Sequence, residues 1–430
     1  DWRGADLCRG VVGGEELMND KHDTQLHQDW LWLAIITGIG FALRVAAMAG
    51  FQHVPESDEL AYRSMALNLL AGNGIVDSMG NHAMYNVGYS LFILAPVFFL
   101  FGDNLLAVRL VNMCLGGVAI ILCYLVAKEA GAGRLGRLIA ALAWALYLPN
   151  AIYGMYLAKE NLMLPLMLGV MWCALRLARQ PSNAVAIGCG ALLGLLALIG
   201  NAALSLLAVL ALALLLSPAS MAQRASMAML ALSVALVMSG PWLLRNMQVI
   251  GAPVLNTNGG FNLYVGNNPA ATGMFVSISE TPRGPTWDAL RKTGEVQASE
   301  TLKQEAISWV QAHPTAFLTL AAKKAAYFWT PPFHEGKGDP SSAEKLVRLL
   351  WAIQFLVLLA AAIGTLLMPR LRNRQVALLW LALACYTGVH MLFYVIFRYR
   401  EPIMPVLAVM AGLVLESLVA ARRQAAKPVR

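Results

Sequence analysis

Apolar residues in this chain fall in long, nearly uninterrupted runs rather than in amphipathic stripes. Trp32 to Gly50, Leu105 to Ala127, Ala225 to Leu244 and Leu349 to Met368 each reach the roughly 18 residues that a membrane-spanning helix needs. The first two carry one arginine each, Arg44 and Arg109. The same pattern predicts about ten spanning helices, near 30–50, 105–127, 138–153, 160–179, 183–199, 202–217, 225–244, 349–368, 376–397 and 402–421. An eleventh run, "YSLFILAPVFFLFG" near 88–101, is set by parity. Counted as a crossing, it would split the basic loops between both faces. It therefore reads as an interfacial or re-entrant segment, tolerated where protein buries it.

Charge orients the bundle. The compact basic stretches Lys128 to Arg137, Arg176 to Arg179, 369–375 ("PRLRNRQ") and the tail "RRQAAKPVR" fall on one side if the chain starts inside, as cytoplasmic loops do. Both termini are then expected in the cytoplasm. Composition agrees: 58% hydrophobic and 13% charged, against about a quarter charged in soluble domains. The net charge of +8 belongs to these loops, so no nucleic-acid partner is inferred. Cys114, Cys123, Cys173, Cys189 and Cys385 lie in apolar segments without metal spacing and read as core residues. Residues 1–17 are polar and Gly-rich, and Met18 begins a more ordinary start. With no cleavable signal pattern, the first spanning helix is expected to double as the insertion signal.

The expected organisation is a cytoplasmic tail 1–29, an N-terminal membrane module 30–245 with outer loop 51–104, an extracytoplasmic domain 246–348 of α/β or α-helical type, C-terminal spanning helices 349–421 and a tail 422–430. Chemistry concentrates on the outer side. In "HVPESDELAYRSMALNLLAGNGI", Pro55 and Ser57 open a helix with Asp58 and Glu59 in its first turn, and Gly72 and Gly74 end it. Asp58 and Tyr62 share a face. This is either an interfacial amphipathic helix or a carboxylate held above the membrane as a general base or cation ligand. Glu160, beside Lys159, sits where the chain re-enters the membrane, either self-paired or functional. Arg245 precedes a turn system with Gly259, Gly260, Gly266 and Gly273, whose freedom permits unusual backbone angles. There Asn267 and Asn268 either close turns or meet sugar hydroxyls. Arg398 and Arg400, with Lys323 and Lys324, either snorkel to head groups or hold a phosphate. The GxGxxG match at Gly131, Gly133 and Gly136 lies between two spanning helices and has no strand before it, so no nucleotide site is inferred.

The order of these fragments resembles the GT-C superfamily of integral-membrane glycosyltransferases. The likeness is to the bacterial branch related to protein O-mannosyltransferases and lipid A aminoarabinose transferases (glycosyltransferase family 39-like). It runs over about 30 to 420. It rests on the acidic pair followed by "Y…A.NLL.G.G", then "YNVGY" with Tyr85 and Tyr89, "FG…..VRL", the acidic second loop, "PWLLRN…GG.NLYVGNNPAATG" and "RYREPIMP". The resemblance implies a sugar donor on a polyprenyl phosphate, undecaprenyl phosphate in a bacterial inner membrane, used at the periplasmic face with inversion. It implies Asp58 as catalytic base, with Glu59 and Glu160 as further catalytic carboxylates and Tyr62, Tyr85, Tyr89, Lys159, Arg245, Asn267 and Asn268 as substrate contacts. Arg398, Arg400 or a lysine would hold the phosphate. A divalent cation stays open, as do sugar and acceptor. Competing classes are a transporter or flippase of lipid-linked saccharides, a polysaccharide ligase, and an acyltransferase with HxxxxD spacing at His53/Asp58 or His334/Asp339.

Overall fold

A computed structural model of the chain describes residues 5–51, 53–331 and 341–426, with side chains from residue 28 onward. The side chains of the tail before residue 28, and the His334/Asp339 pair, lie outside the described residues. Every extended regular element among those residues is helical; one isolated bridge joins Met274 to Val395. In chain order the helices are α1 (Ala5–Gly50), α2 (Asp58–Leu70), α3 (Ala95–Phe101), α4 (Leu105–Glu129), α5 (Arg134–Ala145), α6 (Leu148–Tyr153), α7 (Glu160–Arg179), α8 (Asn183–Ile199) and α9 (Leu206–Leu216). Then come α10 (Met221–Ile250), α11 (Asn258–Gly266), α12 (Trp287–Arg291), α13 (Glu295–Ala312), α14 (Pro314–Phe328), α15 (Ser342–Leu367), α16 (Arg374–Met391) and α17 (Met404–Ala425).

Six helical stretches are long and apolar enough to cross a membrane unaided: Gln28–Gly50, Leu105–Glu129, Glu160–Arg179, Met221–Ile250, Ser342–Leu367 and Phe397–Ala425. Contacts between helix ends show how the rest fit. At one end, Arg134 pairs with Asp29, Arg176 and Arg179 with Glu129, and Arg370 bonds Gln424. There too, Arg374 reaches the Leu216 carbonyl, Arg224 that of Ser217, and Arg372 that of Leu366. At the other end lie the start of α7, the end of α16 and the segment before α17. Followed through these contacts, the described chain passes between the ends ten times: α1, α4, α5 with α6, α7, α8, α9, α10, α15, α16 and α17. Four passages are weaker than the hydropathy pattern suggested. That expected over 138–153 breaks after Ala145 and restarts at Leu148, where Pro149 cannot continue the preceding helix. Those of α8 and of Asn201–Leu216 are short, and α16 opens with Arg374 and Gln375. The run near 88–101 forms a π-helical turn, Ser90–Leu94, leading into α3. Its 12 residues rise only about 18 Å, short of the roughly 30 Å apolar core of a bilayer.

Local sequence explains the helix starts. Asn104, Ser182, Ser341 and Asn373 each accept hydrogen bonds from the first-turn amides that follow them, and Ser220 forms a capping box with Gln223. The core is centred on α7, buried on nearly every side among α4, α8 and α9, and on the first half of α17 against α5 and α15. Gly133 and Gly136 of the GxGxxG match serve this packing, while Gly131 takes a positive φ of 97° in the turn. A side chain at Gly136 would meet the Gly412 carbonyl, and the Gly133 amide donates to Glu416 at 2.6 Å. Their spacing lets α5 approach α17.

The described part of 246–348 is helical, one of the two types expected, and it is bound to the first loop. Phe261, Tyr264, Ile278, Trp287 and Leu302 form its small core. Glu295, at the start of α13, accepts from the His82 and Ala83 amides at 2.9 and 3.1 Å and from the Thr257 hydroxyl at 2.9 Å. Gly260 and Gly266 lie inside α11, so unusual backbone angles are not their role. A Cβ there would strike the Ser299 and Phe393 backbones.

Candidate active site

Asp58 opens α2 directly after Ser57, whose φ of 49° makes it the one non-glycine residue with positive φ among the described residues. Such a conformation costs on the order of 1–3 kcal/mol and is often found at functional sites. Asp58 Oδ2 accepts a short hydrogen bond from Arg398, 340 positions away. The Arg398 Nε lies 3.6 Å from Glu160 Oε1, so one guanidinium sits between two carboxylates. Both carboxylates occupy helix first turns, where the dipole favours negative charge. Asp58 Oδ1 has no protein partner among the described residues, and Asp58 lines a cavity of about 390 Å³.

Glu59 does not face that cavity. It is buried and accepts from the Leu157 amide at 2.7 Å, the Glu56 amide at 3.1 Å and His53 Nε2 at 2.6 Å. Arg109 adds bonds to the carbonyls of His53, at 2.7 Å, and Met155, at 3.3 Å. These contacts fasten the first loop to the second and bring Lys159 and Glu160 beside Asp58. Glu59 is thus a brace, and its expected catalytic role is corrected. His53 serves Glu59 and stacks on Tyr156 with ring centroids 3.8 Å apart. The His53/Asp58 acyltransferase reading therefore has no geometry behind it.

Lys159 lines two adjoining cavities, one holding Asp58 and Arg398, the other, of about 330 Å³, holding Glu160. Among the described residues its ammonium has no hydrogen bond or ion pair. Burial lowers its pKa, while Glu160 and Asp58 oppose that shift. Tyr394, Tyr399, Asn258 and Asn262 line both cavities. Tyr62 and Tyr85 line the first, edge to face at 5.7 Å, their phenols held neutral by burial and then by Asp58. The sequence reading missed Tyr394, Tyr399 and Asn262; only the aromatic run around Arg398 pointed to the first two.

The other expected substrate contacts point elsewhere. The Tyr89 hydroxyl donates to Asn112 in the core. Arg245 binds the carbonyls of Ile75 and His82 and lies over Trp242. Asn267 and Asn268 cap backbone carbonyls at Leu263, Leu392, Tyr264 and Val265, so turn closure prevails. Lys324 is buried, donates to Asn267 and to the Met391 carbonyl, and has its pKa lowered by burial to about 8. Lys323 is exposed and outside both cavities. Arg400, expected at the phosphate, is enclosed. It donates to the Phe328 and Thr330 carbonyls and lies over the Phe355 and Phe397 rings. A divalent cation does not fit what is present: no group of three suitable side chains occurs among the described residues, and the Arg398 guanidinium stands where Asp58 and Glu160 would share a metal.

Residues 89–244 match the dolichyl-phosphate-mannose-protein mannosyltransferase family. The archaeal oligosaccharyltransferase AglB from Archaeoglobus fulgidus, in complex with an inhibitory peptide and a dolichol-phosphate, superposes with a TM-score of 0.52 at 14% identity. The match covers 94% of this chain and 52% of that one. The Archaeoglobus fulgidus oligosaccharyltransferase in complex with Zn and sulfate gives 0.53 at 16% identity, over 91% and 49%. The chain has the GT-C glycosyltransferase fold. It spans about half the length of those enzymes. ArnT from Cupriavidus metallidurans, bound to undecaprenyl phosphate, gives a TM-score of 0.46 at 15% identity, over 93% and 81%. No curated protein matches the sequence. In this GT-C bundle, a multi-pass membrane protein, the two cavities open at the end opposite the basic loops.

Proposed function

We propose that the protein is an integral-membrane glycosyltransferase that moves a sugar from a polyprenyl-phosphate carrier to an acceptor at the outer face of a bacterial inner membrane. The supporting observation is the state of Asp58. Arg398 holds one carboxylate oxygen, the other has no partner among the described residues, and the residue lines the cavity. A base held this way can take the proton from an acceptor hydroxyl or amine as that atom attacks the anomeric carbon. The carbon–oxygen bond to the carrier phosphate breaks on the opposite side, inverting the centre, and the phosphate leaves with the bonding pair. Lys159, poised between the cavities, is the cation placed to stabilise that phosphate. Arg398 has a different role here from the one the resemblance implied: it orients Asp58 and offsets the charge of Glu160. Glu59 positions the loop and does not react.

Purified protein in lipid nanodiscs, given a panel of polyprenyl-phosphate monosaccharides and an envelope-lipid acceptor fraction, tests the reading. Asp58→Asn is expected to lower transfer roughly 10²–10⁴-fold while the protein still elutes as the folded species. Undiminished transfer by that variant would overturn Asp58 as base.

A further inference from the structure

Three pairs of aromatic rings wall the cavity that Asp58 lines: Tyr62 with Tyr85 at 5.7 Å, Phe261 with Trp287 at 5.6 Å, and Phe275 with Tyr394 at 5.1 Å. Phe275 is 49% exposed although it lines a cavity, so its ring is left uncovered by protein. Polar groups are interleaved with the rings. Asn262 Oδ1 accepts from Tyr394 at 3.3 Å, and Asn81 Nδ2 donates to Asp77 at 2.9 Å. The Asn262 amide nitrogen and the Asn81 side-chain oxygen then have no partner among the described residues, nor do the Tyr62 and Tyr85 hydroxyls. The cavity adjoins a larger one of about 710 Å³, since Met79, Asn81, Arg291 and Glu295 line both. His82, Asp288, Lys292 and Gln297 also line the larger chamber. Residues 291–294 on its wall are exposed, so it faces water.

We infer that the acceptor is an oligosaccharide whose terminal ring docks among the three ring pairs beside Asp58, with its preceding units in the water-facing chamber. The inference rests on the function proposed above and names the acceptor class for it. An aromatic face is electronegative and attracts C–H groups. A sugar ring presents such a C–H face, and the hydroxyls around its edge need both donors and acceptors. The wall supplies rings, hydroxyls and amide groups together. Two other acceptor classes fit worse. A peptide recognised by strand addition needs a sheet edge, and the described residues hold one isolated bridge and no strand. The chain of a lipid alcohol would pass Asp288, Lys292 and water in the second chamber, where it forfeits the burial that favours it. A glycan keeps its hydroxyls hydrated there. In the reaction the terminal hydroxyl gives its proton to Asp58 as its oxygen bonds to the anomeric carbon. The carrier phosphate leaves with the electron pair of the bond that breaks, and the oligosaccharide is one unit longer.

The test uses full-length protein in nanodiscs with the polyprenyl-phosphate monosaccharide panel. The acceptors are envelope glycolipids, the oligosaccharides released from them by mild acid, threonine-containing peptides and a long-chain alcohol. Transfer should go to the glycans, lipid-borne or free, and the acceptor KM should fall from monosaccharide to trisaccharide. Phe275→Ala should raise the acceptor KM roughly 2- to 12-fold, the loss of one ring contact. The donor KM should stay unchanged, because Phe275 lines the Asp58 cavity and not the one holding Glu160. Ligand-observed NMR of the released oligosaccharides, without donor, should show binding that the same variant weakens. Trp287→Ala should act alike. Trp287 also packs on the small core of the outer helices, so Phe275 decides the matter should that variant fail to fold. Preferential transfer to the peptides or the alcohol, an unchanged acceptor KM in Phe275→Ala, or no gain with glycan length would each overturn the inference. No transfer to any acceptor, with oligosaccharide binding intact and dependent on Phe275, would instead overturn the glycosyltransferase reading and leave the saccharide site standing.

Discussion

Lys159 holds a positive charge in the cleft while Glu160 and Asp58 are shared with Arg398. Because burial lowers its pKa, the ammonium loses its proton at a lower pH than an ordinary lysine, near 10.4. The protonated form is the one that attracts phosphate. The kcat/KM for the lipid donor, which reports the free enzyme, should therefore fall on the alkaline side before an ordinary lysine would titrate. Lys159→Arg keeps the charge and should remove that fall; a profile unchanged from the parent would exclude Lys159. Neighbours in sequence need not share work. Asp58 faces the cavity and Glu59 faces the second loop, since adjacent helical residues diverge by about 100°. The acidic pair was plain in the sequence, but the division of labour within it was not, because Leu157 and His53 decide it.

At the scale of elements, hydropathy located the helices well, since each apolar run had to be buried or to face lipid whatever its neighbours. It was weakest over 138–153, where a break between α5 and α6 leaves total hydrophobicity almost untouched. Polar residues were harder to read. Arg245, Asn267, Asn268, Lys324 and Arg400 looked like ligand groups because each is a donor in a Gly- or Pro-rich setting. Each turned out to satisfy backbone carbonyls left open at loops and helix ends. Asn256 donates to Asn86 and Asn86 to Asn201, a ladder invisible in the sequence because its members are far apart along the chain. Lys324, which pins α14 to α16, allows a stability test. Its pKa of about 8 lies below the unfolded value near 10.4, so between these limits the unfolded chain binds the extra proton. Stability contributed by this group must then rise with pH across roughly 8 to 10. Thermal melts should show that rise in the parent relative to Lys324→Met; parallel pH profiles would contradict it.

For the whole molecule, the ten passages put basic loops at one end and both cavities at the other. If the basic end is cytoplasmic, a cysteine-free background carrying Thr293→Cys should react with an impermeant maleimide in intact spheroplasts. Arg423→Cys should react only after permeabilisation. The reverse pattern would invert the orientation and place the chemistry inside. The bond between Asp58 and Arg398 has a further consequence for how the protein is made. Asp58 and Glu160 leave the ribosome early, whereas their shared guanidinium belongs to the segment that precedes the last helix. Until Arg398 has been made, the two carboxylates lack that counter-charge. On the proposed function, a chain terminated before Arg398 would lack the group that orients Asp58 and would leave the carrier lipid unspent.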